Sequence, residues 1–147
     1  MDKKRILIVD DIQSTAELIQ KIFDIAGYAT EIALGGEEAL VKASTRPFDC
    51  ILLDVMMPDM DGFEVCRQLK LSHFTAAIPV VFVTALIDEK SREQGFSAGG
   101  DAFITKPFRF EGLFNTVDEL IKQSSFIPKE PFEMMGFVRE PARLLSN

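Results

Sequence analysis

No apolar run in this 147-residue chain approaches the roughly 20 residues needed to cross a bilayer, so no membrane-spanning helix is expected. Basic residues are scarce as well. Sixteen Lys and Arg stand against 23 Asp and Glu, and the net charge of −7 offers no basic face to neutralise nucleic-acid phosphates. Cysteine is limited to Cys50 and Cys66, which lack metal-type spacing and read as buried, reduced thiols of a cytoplasmic protein. The single histidine, His73, lies in a polar stretch and reads as solvated rather than catalytic. There is no P-loop, no dinucleotide fingerprint, no internal repeat and no low-complexity segment. The start, Met1-Asp2-Lys3-Lys4-Arg5, runs directly into a strand-like segment without a cleavage site, so a signal peptide is not expected. What the chain does have is 47% hydrophobic residues, enough for one compact domain and a tail.

Those residues fall into short apolar runs that end in polar groups. Arg5-Ile-Leu-Ile-Val9 is closed by Asp10 and Asp11, and Cys50-Ile-Leu-Leu53 by Asp54. Val80-Val-Phe-Val83 is closed by Thr84, and Ala102-Phe-Ile-Thr105 by Lys106. Such runs are the pattern of parallel strands covered on both faces. Between them lie helical patterns. Ser14 is expected to cap a helix whose Ala16, Ile19, Phe23 and Ala26 share a face and which Gly27 ends. Tyr28–Leu34 reads as a second strand, Glu37–Ser44 as a short helix after Gly35-Gly36, and Asp61-Gly62 as the start of a helix through Lys70. Asp88–Ala98 reads as a polar helix, and Phe110, Leu113, Phe114, Val117 and Ile121 form the clearest helical stripe. The sum is an α/β fold, a five-stranded parallel sheet with helices on both faces.

Ligands of open parallel sheets bind outside the carboxyl ends of the strands. If the runs are neighbours, that edge collects two metal-binding acids, a third carboxylate, a hydroxyl and an ammonium, which is equipment for accepting a phosphoryl group. Periodicity does not order the strands. The flavodoxin-like order 2-1-3-4-5 is the one that brings Asp10, Asp11 and Asp54 together, so the expected order rests on the expected chemistry.

Asp10-Asp11, Asp54-Val-Met-Met-Pro-Asp-Met-Asp-Gly62, Thr84-Ala85 and Lys106-Pro107-Phe108 together resemble the receiver domain of two-component response regulators. The match covers about residues 4 to 122, so 1–122 is expected to be a receiver domain and 123–147 a C-terminal tail or the start of a linker. The resemblance implies a function. Asp54 takes a phosphoryl group from a histidine kinase or histidine phosphotransfer protein, and the domain catalyses its own phosphorylation and dephosphorylation rather than acting as a conventional enzyme. Adjacent carboxylates at a strand end call for a cation, and a hard divalent ion, Mg²⁺, would suit Asp10, Asp11 and Asp54. The backbone carbonyl of Met56 is implied as a further ligand. Asp11 is also placed to cap the first helix. Lys106 is implied to pair with Asp54 at rest and with a phosphoryl oxygen afterwards, across a cis Lys106–Pro107 bond. Thr84 and Phe103 are implied as the switch pair, the threonine moving to the phosphoryl group and the ring following it; the plainer reading of Phe103 is a permanently buried strand residue.

Two positions bear on rate. Met56 and Leu86, two residues after Asp54 and Thr84, are apolar and expected to hinder the water that hydrolyses the aspartyl phosphate. Gly99-Gly100-Asp101-Ala102-Phe103 is superficially similar to the hairpin of diguanylate cyclases, but has Ala where that signature has Glu. A haloacid-dehalogenase-type phosphatase would have a second acid where Met56 stands. The rival reading is a phosphorylation-independent interaction module with the same fold; retention of every acid and the lysine favours the active one. The resemblance further implies donor docking along Gln13 to Phe23 and output through the last two helices and fifth strand, by homodimerisation or partner binding. Phe126, Ile127, Phe132, Met134, Met135 and Phe137 make the tail too apolar for an ordinary linker, so it is expected to dock on a surface or lead into a further domain. The phrase Asp54-Val-Met-Met-Pro58 also resembles receivers joined to cyclases and hybrid kinases, which favours the latter.

Overall fold

The computed structural model describes residues 3–125, in which five strands and five helices alternate. The strands are β1 (Arg5–Val9), β2 (Ala29–Ala33), β3 (Cys50–Leu53), β4 (Val80–Thr84) and β5 (Ala102–Thr105). The helices are α1 (Gln13–Ile25), α2 (Gly36–Thr45), α3 (Gly62–Leu71), α4 (Glu89–Ser97) and α5 (Phe110–Ser125). The strands form one parallel sheet in the order β2-β1-β3-β4-β5, with β1 beside β3 where the winding reverses. The first three residues of the expected tail, 123–125, form the end of α5, and from residue 126 onward the tail lies outside the described residues. Among the described residues no helix is long and apolar enough to cross a membrane.

The apolar runs become strands because both sheet faces are covered. Ile6, Ile8, Cys50, Leu52, Val81 and Val83 point to one side and pack with Ala16, Ile19 and Phe23 of α1 and Leu113, Val117 and Ile121 of α5. Leu7, Val9, Ile51, Leu53, Val80 and Phe82 point to the other and meet Ala39 and Ala43 of α2 and Val65, Cys66 and Leu69 of α3. Alternate residues of a strand thus serve two cores, which is why no polar residue interrupts them. Cys50 and Cys66 are both buried and free, and burial pushes their thiols up, that of Cys66 to about 11. His73 is exposed.

Two helix ends differ from expectation. The N-cap of α1 is Ile12, and no side chain caps it; Ser14 lies inside the first turn, exposed. Asp10 accepts a hydrogen bond from the Ile12 N–H at 2.9 Å, just ahead of the helix, and neither Ser14 nor Asp11 is the cap. At the other end Ala26 is the C-cap and exposed, outside the buried face of Ala16, Ile19 and Phe23. Gly27, at φ +97°, then turns the chain in the left-handed region that glycine tolerates best.

The cyclase-like Gly99-Gly100-Asp101 has a structural occupation here. Gly99, at φ +106°, closes α4, and the Asp101 carboxylate accepts from the Val80 N–H at 2.9 Å at the start of β4.

Candidate functional site

The register sets the site. Val9 lies beside Leu53, so Asp10 and Asp54 leave neighbouring strands at the same level. The Asp54 N–H donates to the Val9 carbonyl at 3.0 Å and the Asp10 N–H to the Ala33 carbonyl at 3.1 Å, so the ladder runs into the site without a break. Thr84 is beside Thr105, and the Lys106 N–H donates to the Thr84 carbonyl at 2.8 Å. The Lys106–Pro107 peptide is cis, as the resemblance implied.

Asp10 and Asp54 are 2% and 6% exposed, and Asp11 is half-buried. Each of the three offers a carboxylate oxygen within 4.8 Å of the others. Like charges this close, away from bulk water, need a cation. Lys106 provides one. Its Nζ lies 2.7 Å from Asp10 Oδ2 and 3.2 Å from Asp54 Oδ2. The expected pair with Asp54 is present, but the shorter contact is to Asp10, which the sequence reading did not anticipate. Burial works against the Lys106 ammonium, yet the hydrogen bonds and charges of Asp10 and Asp54 outweigh it and raise its pKa above the ordinary 10.5. One lysine does not neutralise three carboxylates, and the remaining set consists of hard oxygens suited to a small divalent cation.

The other Asp54 oxygen, Oδ1, accepts from the Val55 N–H at 2.7 Å and, more weakly, from the Met56 N–H at 3.4 Å. The carboxylate is therefore held by backbone on one side and by Lys106 on the other. Thr84 is fully buried, and its hydroxyl oxygen accepts from the Leu86 N–H at 3.3 Å. The Phe103 ring is half-buried, 5.9 Å from the Phe82 ring, with the Arg92 guanidinium carbon 5.3 Å above it. Met56 is 60% exposed, whereas Leu86 is half-buried and leans on the core. Asp10, Asp11, Asp54 and Lys106 thus form one cluster at the sheet edge, Thr84 and Met56 are next to it by register and chain, and Phe103 lies within β5 further back.

Two contributors were missed in the sequence. Gly62 enters the sequence reading as a helix start and the end of the receiver motif, without a reason for glycine: a Cβ there would overlap the Asp54 carbonyl oxygen, and its N–H donates to the Val55 carbonyl at 2.8 Å. Only glycine lets α3 begin so close to the acid-bearing strand end. Asp59 has a task too. It reaches across to α2 and accepts from the Gly36 and Glu37 N–H groups at 3.2 and 3.1 Å. The glycine pair Gly35-Gly36, spaced from an acid-rich loop, was the available signal, but it does not say which acid comes to it. Asp61 caps α3 through the Glu64 N–H at 2.9 Å.

Comparison with known proteins agrees with this geometry. The family model described as the response regulator receiver domain matches residues 6–118. The DNA-binding dual master transcriptional regulator RpaA of Synechocystis is 38% identical over 125 residues, 85% of this chain and 52% of that protein. Response regulator PleD of Caulobacter vibrioides is 44% identical over 118 residues, 80% of this chain but 26% of that protein. The chain thus spans about half, or less, of the length of these relatives. Among solved structures, a CheY-like response regulator receiver domain protein from Methanospirillum hungatei superposes with a TM-score of 0.80 at 29% identity, covering 84% of this chain and 98% of that one. The signal receiver domain of a histidine kinase from Syntrophus aciditrophicus gives 0.79 at 35% identity, over 86% and 96%. On the strength of a family match across most of its length and a CheY-like sheet of the same order, the chain belongs to the response regulator receiver domain family.

Proposed function

We propose that this chain is a working phosphoacceptor: Asp54 takes a phosphoryl group from a phosphohistidine on a kinase or phosphotransfer protein. The observation that carries the reading is the cluster itself, three carboxylates with one lysine reaching two of them at the carboxyl edge of a parallel sheet. For stability alone, such a surplus of buried negative charge has no use.

Asp54 is the nucleophile, since its carboxylate can form a mixed anhydride with phosphate and later lose it to water. Asp10, Asp11 and Asp54, with the Met56 carbonyl, would hold Mg²⁺, which when bound supplies positive charge for the phosphoryl oxygens. Lys106 adds a second positive point. It is already 3.2 Å from Asp54, and its bond to Asp10 keeps it at the edge while Asp54 reacts. The Val55 and Met56 N–H groups orient Asp54 Oδ1 and leave Oδ2 facing Lys106. Thr84 offers its hydroxyl to a phosphoryl oxygen, and the half-buried Phe103 is the ring that follows it. Met56, exposed beside the acid, covers the approach of hydrolytic water; Leu86 is a weaker candidate because it already leans on the core.

The two buried thiols suit a reducing compartment such as the cytoplasm. Donor docking is assigned to α1 from Gln13 to Phe23, and output to α4, β5 and α5 as a homodimer or partner surface. Residues 1–122 serve as the receiver and 123–147, whose first three residues complete α5, as a C-terminal tail or the start of a linker.

The test is transfer from a histidine-phosphorylated phosphotransfer protein carrying labelled phosphate. Movement of label onto this chain, and none onto Asp54→Ala, is the expected result. Binding of the donor without transfer, equally well with and without its phosphate, would instead support a phosphorylation-independent interaction module.

A further inference from the structure

The loop from Asp54 to Asp61 carries the acid and the backbone groups that orient it, and the structure shows how each part is held. Its first half is anchored by burial, with Val55 and Met57 in the core on one side of Met56 and on the other. Gly62 fixes the far end through its bond to Val55. The outer half, Pro58 to Met60, has no such burial: Pro58 and Asp59 are exposed and Met60 is half-buried. Met60 packs against the core from one side, and the polar anchor of the segment is Asp59, whose two carboxylate oxygens accept separately from the Gly36 and Glu37 N–H groups in the first turn of α2. These bonds cross 23 and 22 positions of sequence. The contact is close on the α2 side as well. A Cβ on Gly36 would lie 2.8 Å from Val65 Cγ2 and 2.9 Å from Met60 Cβ, so α2 can lie against the loop only because this position is glycine. The N–H bonds hold the Asp59 carboxyl below the usual carboxylate range, so it is ionised at neutral pH and its charge faces the positive end of the helix.

We infer that Asp59 is a positioning residue for the cation site: by tying the outer half of the loop to α2, it sets the backbone of Val55 and Met56 against the Asp54 carboxylate. Asp59 touches neither substrate nor metal. Its effect passes through the loop backbone, which bonds Asp54 Oδ1 through the Val55 and Met56 N–H groups and bears the carbonyl assigned above as a ligand. The inference rests on the proposed cation site but not on phosphoryl transfer.

The experiment is a calorimetric titration of the full chain with Mg²⁺ alone, for wild type, Asp59→Ala, Asp59→Asn and Gly36→Ala. Thr75→Val is the control. Thr75 donates to the Leu69 carbonyl at 2.6 Å near the other end of α3, so this variant loses a buried hydrogen bond without touching the loop. Asp59→Ala is expected to weaken Mg²⁺ binding about fivefold, the effect of losing a typical helix cap. Asp59→Asn keeps one acceptor and should fall between Ala and wild type. Gly36→Ala, which pushes α2 off the loop with no change of charge, should weaken binding in the same direction. Thr75→Val should lose stability and bind Mg²⁺ as wild type does. If Asp59→Ala and Gly36→Ala lose stability but keep wild-type Mg²⁺ affinity, Asp59 is only a helix cap and the inference is overturned. It is also overturned if wild type binds no Mg²⁺. Wild type that binds Mg²⁺ with the expected ranking but accepts no phosphoryl group would uphold the inference while contradicting the proposed function.

Discussion

The two ends of the sheet solve the same problem in opposite ways. At the amino ends of the strands, each acid is given to a neighbouring backbone N–H. Asp49 donates its own N–H to the Arg5 carbonyl at 2.7 Å and accepts from the Arg5 N–H at 2.8 Å. Asp101 repeats the arrangement with Val80, at 2.8 and 2.9 Å, and Lys70 lies 3.4 Å from its carboxylate. At the carboxyl ends the backbone is paired just as well, but three carboxylates face one another and only two of them, Asp10 and Asp54, are reached by Lys106. The same residue type therefore closes one edge and charges the other. A protein that needed only stability would treat both edges like the first, because buried like charge costs more than it returns.

This contrast makes different substitutions behave in opposite ways. The largest effect is expected at Lys106. Lys106→Met leaves Asp10 and Asp54 facing each other without their ammonium and should lower stability by about 2 kcal/mol, less than for a fully enclosed pair because the site is open to water on one side. Saturating Mg²⁺ should restore most of it, as read by urea unfolding with and without the ion. The pH dependence has a definite sign. The folded pKa of Lys106 is raised, so its contribution is complete below the ordinary 10.5 and is lost as pH climbs through the higher folded value. The gap between wild type and Lys106→Met should be constant through neutral pH and close only in that alkaline range.

A smaller change is expected from Met56→Asn, which replaces an exposed apolar cover with a group that can hold water. Loss of phosphate should speed up about tenfold, or about 1.4 kcal/mol of barrier, measured as the half-life of the phosphorylated protein. An unchanged half-life would remove Met56 from the account. The smallest is Asp101→Ala at the opposite edge. It should cost about 1 kcal/mol of stability, measured by unfolding, while Mg²⁺ binding and phosphoryl uptake stay as in wild type.

Much of the sheet is legible because the three central strands are buried on both faces, so that Ile6–Val9, Cys50–Leu53 and Val80–Val83 carry an uninterrupted apolar signal, whereas the edge strands β2 and β5 are mostly half-buried. Strand order was a different matter. It came from requiring Asp10, Asp11 and Asp54 to meet, and the observed order β2-β1-β3-β4-β5 agrees. The start of α1 differs because Ser14 has the right chemistry for a cap, whereas the helix begins at Gln13, after Ile12, with no side-chain cap, and Asp10 bonds only the Ile12 N–H. The Asp10–Lys106 contact spans 96 positions and depends on which of two adjacent acids turns inward, which no local pattern encodes. Asp59 escaped for a similar reason. Of the two acids between Asp54 and Glu64, only the fold decides that Asp61 caps α3 and Asp59 reaches α2.

The measurement that bears on all of this is the intact mass of the protein after incubation with acetyl phosphate, with and without Mg²⁺, for wild type and Asp54→Ala. Wild type is expected to gain one phosphoryl group only with Mg²⁺, and the variant none. A gain that survives Asp54→Ala, or one that ignores Mg²⁺, would contradict Mg²⁺-dependent phosphorylation of Asp54.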